Sequence, residues 1–208
     1  MNKIAIFVQD FQKATAISKK LVSLDLGVSF FESYCKEIDD YSIAVVDLNV
    51  PDFGNTRFIA ELRLNSNKYL QIDKDLIPTG KIKRVKNSIY DFLKFQNLGK
   101  KLNFFKNKKI DLKHKGFDTT YIIKKNSRNF VGSIKNKNSN IQVNFFSNLP
   151  GVQLYSAQNL NYKKKLFPYH GICLETQYFP DTPNKKNFPS TLIKANKRYT
   201  CFTKIKIY

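Results

Sequence analysis

The stretch Ile141–Phe145 (IQVNF) alternates apolar with polar residues, which is the pattern of a β-strand with one buried face. The C-terminal TKIKI repeats this pattern, since Ile205 and Ile207 alternate with lysines. Further strand candidates, separated by Asn-, Gly- and Lys-rich turns, are TTYIIKK (119–125), NFVGSI (129–134) and GVQLYSA (151–157). Many short strands at such spacing predict a mainly β fold, with an antiparallel β-sandwich over residues 61–208.

Residues 1–60 show a different pattern and are predicted to form a small α/β segment. Apolar strand candidates alternate there with two helical patterns, an order typical of a parallel sheet; the strands are KIAIFVQ (3–9), GVSFFES (27–33) and YSIAVVDLNVP (41–51). The charge changes as well, because residues 1–64 hold 7 basic and 9 acidic residues whereas residues 65–208 hold 29 and 7. We therefore expect two units, with the boundary after residue 60.

The first unit resembles the first half of a bacterial response-regulator receiver domain. The resemblance rests on Asp10, after the first strand, and on Asp47, which ends the third strand in VVDLNVPDFG. It implies an acidic magnesium-binding cluster and makes Asp47 a weak candidate phosphoacceptor. The alternative is that Asp47 is a strand-end carboxylate that caps the following turn.

The composition is strongly basic, with a formal net charge of +20. Such a charge can indicate nucleic-acid binding. However, 31 lysines stand against 5 arginines and lie among many asparagines, which favours a solvated surface over a phosphate-reading site. No apolar run reaches the roughly 18 residues of a membrane span, and the three cysteines have no metal-ligand spacing. A cytoplasmic protein with no membrane partner is the resulting expectation.

Few residues in the sequence suggest chemistry. No phosphate-binding glycine loop and no paired-histidine metal motif occurs, so no metal site is predicted, and the histidines are His114 and His170. Glu175 is the only glutamate after Glu61, and in ICLETQYF it lies between apolar residues that could partly desolvate it. A carboxylate in such surroundings has a raised pKa and suits a general base. The alternative is an exposed strand glutamate paired with one of the many lysines. Other polar candidates near turns and strand ends are Asp118, Gln153, His170 and Gln177.

Residues from about Leu62 to Tyr208 resemble the C-terminal part of the aldose 1-epimerase (galactose mutarotase) family. Several stretches match in the family's order: LRLNSNKYLQIDKDLIPTGKI, SIYDFLKF, HKGFD, NLPGVQLYSAQN and HGICLETQYFPDTPNKKNFPSTLIKANKRYTCFTKIKI. The resemblance implies a galactose-mutarotase-like β-sandwich. It also implies interconversion of the α and β anomers of aldoses such as glucose or galactose, without a cofactor.

The resemblance also assigns roles to individual residues. Glu175 would be the general base that takes the proton from the anomeric hydroxyl. Asp118, in GFD, would bind sugar hydroxyls, and Gln153, in PGVQLY, would line the same site. The Pro/Asn-rich loop after Glu175 would be a rigid feature that holds the strand in place.

The chain departs from the family where the general acid is expected. A family histidine protonates the ring oxygen, but the stretch before LRLNSNKYL, IAVVDLNVPDFGNTRFIAELR, has no histidine, and neither His114 nor His170 matches the motif. We therefore expect a truncated, mutarotase-like protein of reduced or no activity. Alternatives are a non-catalytic carbohydrate-binding module, an inactive fusion remnant and a basic nucleic-acid binder, the last supported only by YKKKLFPYH (162–170). The sequence leaves the oligomeric state open.

Overall fold

The computed structural model describes residues 60–106, 114–136, 141–159, 168–169 and 171–208, together with the backbone of four short strands before Ala60. The strands in chain order are β1 (Asn2–Lys3), β2 (Ala5–Ile6), β3 (Leu26–Gly27), β4 (Ile43–Asp47), β5 (Ala60–Leu64), β6 (Lys68–Ile72), β7 (Pro78–Arg84), β8 (Gln96–Asn97), β9 (Asp118–Ile122), β10 (Phe130–Asn136), β11 (Ile141–Ser147), β12 (Gly151–Tyr155), β13 (Gly171–Gln177) and β14 (Thr203–Ile207). One α-helix, α1 (Leu98–Lys106), and a 3-10 turn (Thr182–Asn184) accompany them within the described part of the chain.

Most of these strands form two antiparallel sheets. The smaller sheet has the order β14-β11-β10-β5-β8, and the larger has the order β2-β4-β13-β12-β9-β6-β7. A separate parallel pair joins β1 and β3. The predicted mainly β, antiparallel sandwich fold is confirmed for the described residues.

One apolar core lies between the two sheets. The IQVNF stretch supplies buried Val143 and Phe145 to it from β11, and both residues stand in register with the isoleucines of β14. Leu154 and Leu174 face the same core from the larger sheet, from β12 and β13. Alternate residues of a strand point to opposite faces. The residues directly before and after Leu154 and Leu174 therefore lie on the outer face of that sheet.

Helix α1 covers one end of this core. Its buried residues Leu98, Leu102 and Phe105 are spaced at four and three, which places them on one helical face. Asn97 caps the helix, because its Oδ1 accepts a hydrogen bond of 2.8 Å from the backbone N–H of Lys100.

The backbone described before Ala60 agrees with the predicted parallel sheet in one pairing and departs from it in another: β1 and β3 pair in parallel, whereas β4 does not. Strand β4 appears where the sequence predicts the third strand, but it pairs antiparallel with both β13 and β2. The apolar run of β4 suits a strand of either direction, and periodicity carries no information about strand direction. The comparison with a receiver domain gains no support, the two predicted helices lie outside the described residues, and the boundary after residue 60 stays a prediction.

Candidate active site

Three neighbouring strands of the larger sheet, β9, β12 and β13, present polar residues on its outer face. In the register of these strands, Gln153 stands between Thr120 and Glu175. Two residues further along β12, Tyr155 stands between Asp118 and Cys173. Residues directly opposite each other in antiparallel strands share a face, so these six side chains form one surface, here called the outer-face cluster.

Hydrogen bonds fix the centre of the outer-face cluster. The Nε2 of Gln153 donates to Oδ1 of Asp118 at 2.6 Å, and the Oγ1 of Thr120 donates to Oε1 of Gln153 at 2.5 Å. These two bonds orient the Gln153 amide, because a carboxylate can only accept from it and the hydroxyl donates to it. Asp118 and Gln153, both predicted to bind sugar, are therefore in direct contact.

Glu175 lies half-buried beside this pair. Burial raises the pKa of its carboxyl above the ordinary value, and the negative charge of Asp118 raises it further. The pairing with a surface lysine, which the sequence leaves open, is not found: among the residues that the structure describes, Glu175 forms no ion pair. Its surroundings are those of a carboxylate that holds a proton more readily than usual.

Two other titratable members of the cluster, Cys173 and Tyr155, stay neutral at physiological pH. Burial, followed by the charges of Glu175 and Asp118, raises the pKa of the Cys173 thiol to about 12. Burial also raises the pKa of Tyr155, whose phenol oxygen accepts a hydrogen bond of 3.2 Å from the backbone N–H of Asn159. Burial raises the pKa of Asp118 as well, although the hydrogen bond from Gln153 and the charge of His114 act in the opposite direction.

A close approach of two chain segments sets the position of Asp118. A β-carbon added to Gly116 would lie 2.3 Å from the Oγ of Ser156. That Oγ in turn accepts a hydrogen bond of 2.8 Å from the backbone N–H of Phe117. The absence of a side chain at Gly116 therefore allows the start of β9 to lie against the end of β12.

The loop after β13 folds back over the outer face of the larger sheet. Phe179 and Phe188 pack edge to face, with ring centroids 5.3 Å apart, against Leu70 and Ile122. Local bonds shape the loop: Lys185 pairs with Asp181 at 2.9 Å, and Thr182 Oγ1 donates to the carbonyl of Phe179 at 2.6 Å. These contacts fix the loop on β6 and β9, and the expectation that it holds β13 in place stays a prediction.

The structure brings together Asp118, Gln153 and Glu175 of the predicted site residues. His114 lies outside the outer-face cluster, with its Nε2 3.0 Å from the carbonyl oxygen of Lys74, although its charge reaches Asp118. Gln177 is paired in register with Gly151, one step beyond Gln153. His170 and the side chain of Asp47 lie outside the described residues, as does most of YKKKLFPYH.

Three members of the cluster were not predicted from the sequence: Thr120, Tyr155 and Cys173. Each is two residues from a predicted member on the same strand, so the period-two rule could have found them once the strands were recognised. In the described ranges, no three His, Cys, Asp or Glu side chains are grouped as metal ligands are. No helix in those ranges is long and apolar enough to cross a membrane.

Comparison with known proteins gives consistent results. The family model for aldose 1-epimerase matches residues 48–206. Human galactose mutarotase is 31% identical over 146 residues, which cover 67% of this chain and 41% of that protein. The aldose 1-epimerase of Haemophilus influenzae is 28% identical over 152 residues, covering 70% and 44%. The chain thus spans less than half the length of these curated relatives.

Solved structures agree with the fold. The aldose epimerase homologue from C. elegans superimposes with a TM-score of 0.63 at 22% identity, covering 81% of this chain and 50% of that one. Galactose 1-epimerase from Lactobacillus acidophilus gives a TM-score of 0.54 at 18% identity, covering 82% and 54%. At these identities the likeness concerns the fold alone.

Proposed function

The chain belongs to the aldose 1-epimerase family, and on that premise we propose that it is a mutarotase-like protein that interconverts the α and β anomers of an aldohexose such as glucose or galactose. The observation that carries the proposal is the state of Glu175. Its carboxyl is half-buried, has a raised pKa and forms no ion pair within the described residues. A carboxylate in this state accepts a proton more readily than one held by a lysine.

In the proposed reaction, Glu175 takes the proton from the anomeric hydroxyl while an acid protonates the ring oxygen. The ring opens, rotation about the C1–C2 bond follows, and reclosure gives the other anomer. No electron transfer occurs, so the reaction needs proton donors and acceptors only. This is consistent with the expectation that no cofactor takes part.

Asp118 serves the same reaction by binding the sugar, and Gln153 lines the site beside it. The Gln153 amide is already engaged by Thr120 and Asp118, so it acts chiefly by holding the Asp118 carboxylate in place. The remaining lone pairs of that carboxylate accept hydrogen bonds from sugar hydroxyls, which both donate and accept. The neutral phenol of Tyr155 adds a group that can donate to the sugar from the same face.

We further propose that this reaction is slower than it would be in a site with a positioned general acid. The stretch where the family places its histidine, IAVVDLNVPDFGNTRFIAELR, contains none. A positioned general acid typically contributes about 10²–10⁴-fold, and the rate falls by about that factor when the acid is lost.

The test is the polarimetric decay of freshly dissolved α-galactose and α-glucose with the purified chain. The wild-type protein should give faster mutarotation than buffer alone. In Glu175→Gln the rate above that of buffer should be about 10²–10⁴-fold smaller. The matched control is Glu61→Gln, which removes a carboxylate paired with Lys135 at 3.2 Å on the smaller sheet. It should keep the wild-type rate. A rate equal to buffer for all three proteins would refute catalysis.

A carbohydrate-binding module is the second candidate, because the Asp118–Gln153 pair can bind a sugar without an acid. Calorimetric titration of galactose separates the two candidates. Saturable binding without catalysis supports the module, and binding lost in Asp118→Asn assigns it to this face. Neither catalysis nor saturable binding, together with a loosely packed state, would favour an inactive remnant.

A further inference from the structure

A concave site apart from the outer-face cluster lies at the far end of the larger sheet, where β9 ends and β12 begins. It is a cavity of about 690 Å³, which is within the range typical of small-molecule sites. Its lining shares no residue with the outer-face cluster. Phe179 lies near the boundary between the two, since a β-carbon added to Gly151 would meet its ring at 3.2 Å and the Thr120 methyl at 3.1 Å.

The floor of this cavity is apolar. Phe179 and Phe188 are only 6% and 7% exposed, whereas Ile82 is 40% exposed and therefore available for contact. The principal apolar lining residues are Ile82, Ile122, Leu149, Phe179 and Phe188. A floor of this kind fits the apolar or planar part of a ligand.

The rim of the cavity is cationic. Four lysines line it, and no aspartate or glutamate of the described chain does; the lysines are Lys68, Lys124, Lys125 and Lys186. None of these four forms an ion pair within the described ranges. Lys135 and Lys185 differ in this respect, because they pair with Glu61 and Asp181. The four positive charges would attract an anion into the cavity.

Hydrogen bonds made by asparagine side chains hold the walls of the cavity in place. The Asn126 amide donates to the carbonyls of Lys124 and Phe130 and accepts from two backbone N–H groups. Asn148 bonds the backbone of Thr200 and Phe202, and Asn187 donates to the carbonyl of Gly80 at 2.8 Å. The walls are therefore preformed, and the charged groups left for a ligand are the lysines.

We propose that this cavity binds a phosphate ester with an apolar or planar body, such as a nucleoside monophosphate. The phosphate lies among the four lysines, which suit a phosphate as point charges. The body of the ligand lies on the isoleucine and phenylalanine floor. The site is separate from the outer-face cluster, so its occupancy does not depend on the proposed sugar chemistry.

The test is calorimetric titration of AMP into the full chain at 0.15 M salt, where general charge attraction is screened. Wild type should bind one AMP saturably, and Lys124→Gln/Lys186→Gln should weaken binding by about tenfold or more. The matched control, Lys94→Gln/Lys197→Gln, removes the same charge at two exposed lysines outside the cavity and should bind as wild type does. Glu175→Gln should also bind AMP unchanged.

Inorganic phosphate tests the apolar floor. It should bind at least about tenfold more weakly than AMP, because it makes no contact with the floor. Equal affinities for phosphate and AMP would overturn the assigned ligand class. Equal weakening in the two lysine pairs, or no saturable AMP binding, would overturn the site itself. Loss of AMP binding in Glu175→Gln would indicate that the ligand binds at the outer-face cluster and would overturn the separation of the two sites.

Discussion

Asp118 and Glu175 lie on the same face of the larger sheet, on strands separated only by β12. Burial is the main cause of the raised pKa of Glu175, and the negative charge of Asp118 is the second. The two carboxyls therefore cannot be treated as independent: the residue that we propose binds the sugar also adjusts the basicity of the residue that we propose takes the proton.

Replacing Asp118 with asparagine should lower the pKa of Glu175. The neutral amide removes a nearby negative charge, whereas burial remains, so the pKa should move only part of the way to its ordinary value. The measurement is an NMR titration of the Glu175 side-chain carboxyl in both proteins. Asp91→Asn, which changes a carboxylate outside the cluster, should leave the titration unchanged. An unchanged or higher pKa in Asp118→Asn would show that the two groups do not interact.

Replacing Glu175 with glutamine should stabilise the protein at neutral pH. The pKa of Glu175 is raised on folding, so the folded state holds its proton over a pH window that begins near the ordinary value of 4.5 and ends at the raised value. The free energy of unfolding therefore falls as pH rises through that window, and glutamine avoids the loss. Thermal unfolding at pH 7 should show a higher midpoint for Glu175→Gln.

That gain should disappear at about pH 3, where the carboxyl is protonated in both the folded and the unfolded states. Glu61→Gln should not raise the midpoint at pH 7, because Glu61 is paired with Lys135. A Glu175→Gln variant that is less stable than wild type at pH 7 would mean that Glu175 is held by a favourable interaction.

Truncating Phe188 should release the loop after β13. Phe188 is 7% exposed and packs on Phe179 and Leu70, so Phe188→Ala should lower the free energy of unfolding by about 3 kcal/mol. Leu192→Ala is the matched control, since Leu192 is 90% exposed in the same C-terminal region and should change stability by less than about 0.5 kcal/mol. Urea unfolding measures both. A similarly small decrease in the free energy of unfolding in both variants would show that Phe188 does not anchor the loop.

The sequence predicts which face of a strand is buried better than it predicts which strands are neighbours in a sheet. Alternation correctly predicts that Val143 and Phe145 enter the core while their polar neighbours do not, because the period-two rule is local. The contact of Gln153 with Asp118 depends on the order β9-β12-β13, which joins residues 35 positions apart. Periodicity contains no information on that order. Their position near turns and strand ends makes Asp118 and Gln153 polar candidates, but only the family resemblance predicts that the two residues share one site.

Two other features that the sequence does not predict, the direction of β4 and the docking of the loop after β13, have similar causes. The direction of β4 depends on its pairing with β13, a strand more than 100 residues away, and an apolar run such as IAVV fits either direction. The loop after β13 is recognisable from its prolines and asparagines. Its docking through Phe179 on Leu70 is a tertiary contact that no local signal in the sequence predicts.

The role of Glu175 as the base is decided by the pH dependence of kcat/KM for mutarotation, measured beside the pKa of Glu175 obtained by NMR. A base must be deprotonated to act, so kcat/KM should rise with pH and reach half its plateau at the NMR-determined pKa of Glu175. In Asp118→Asn the two midpoints should move together to lower pH. A pH profile that is flat across the titration of Glu175, or a midpoint that stays in place while the pKa moves, would exclude Glu175 as the base.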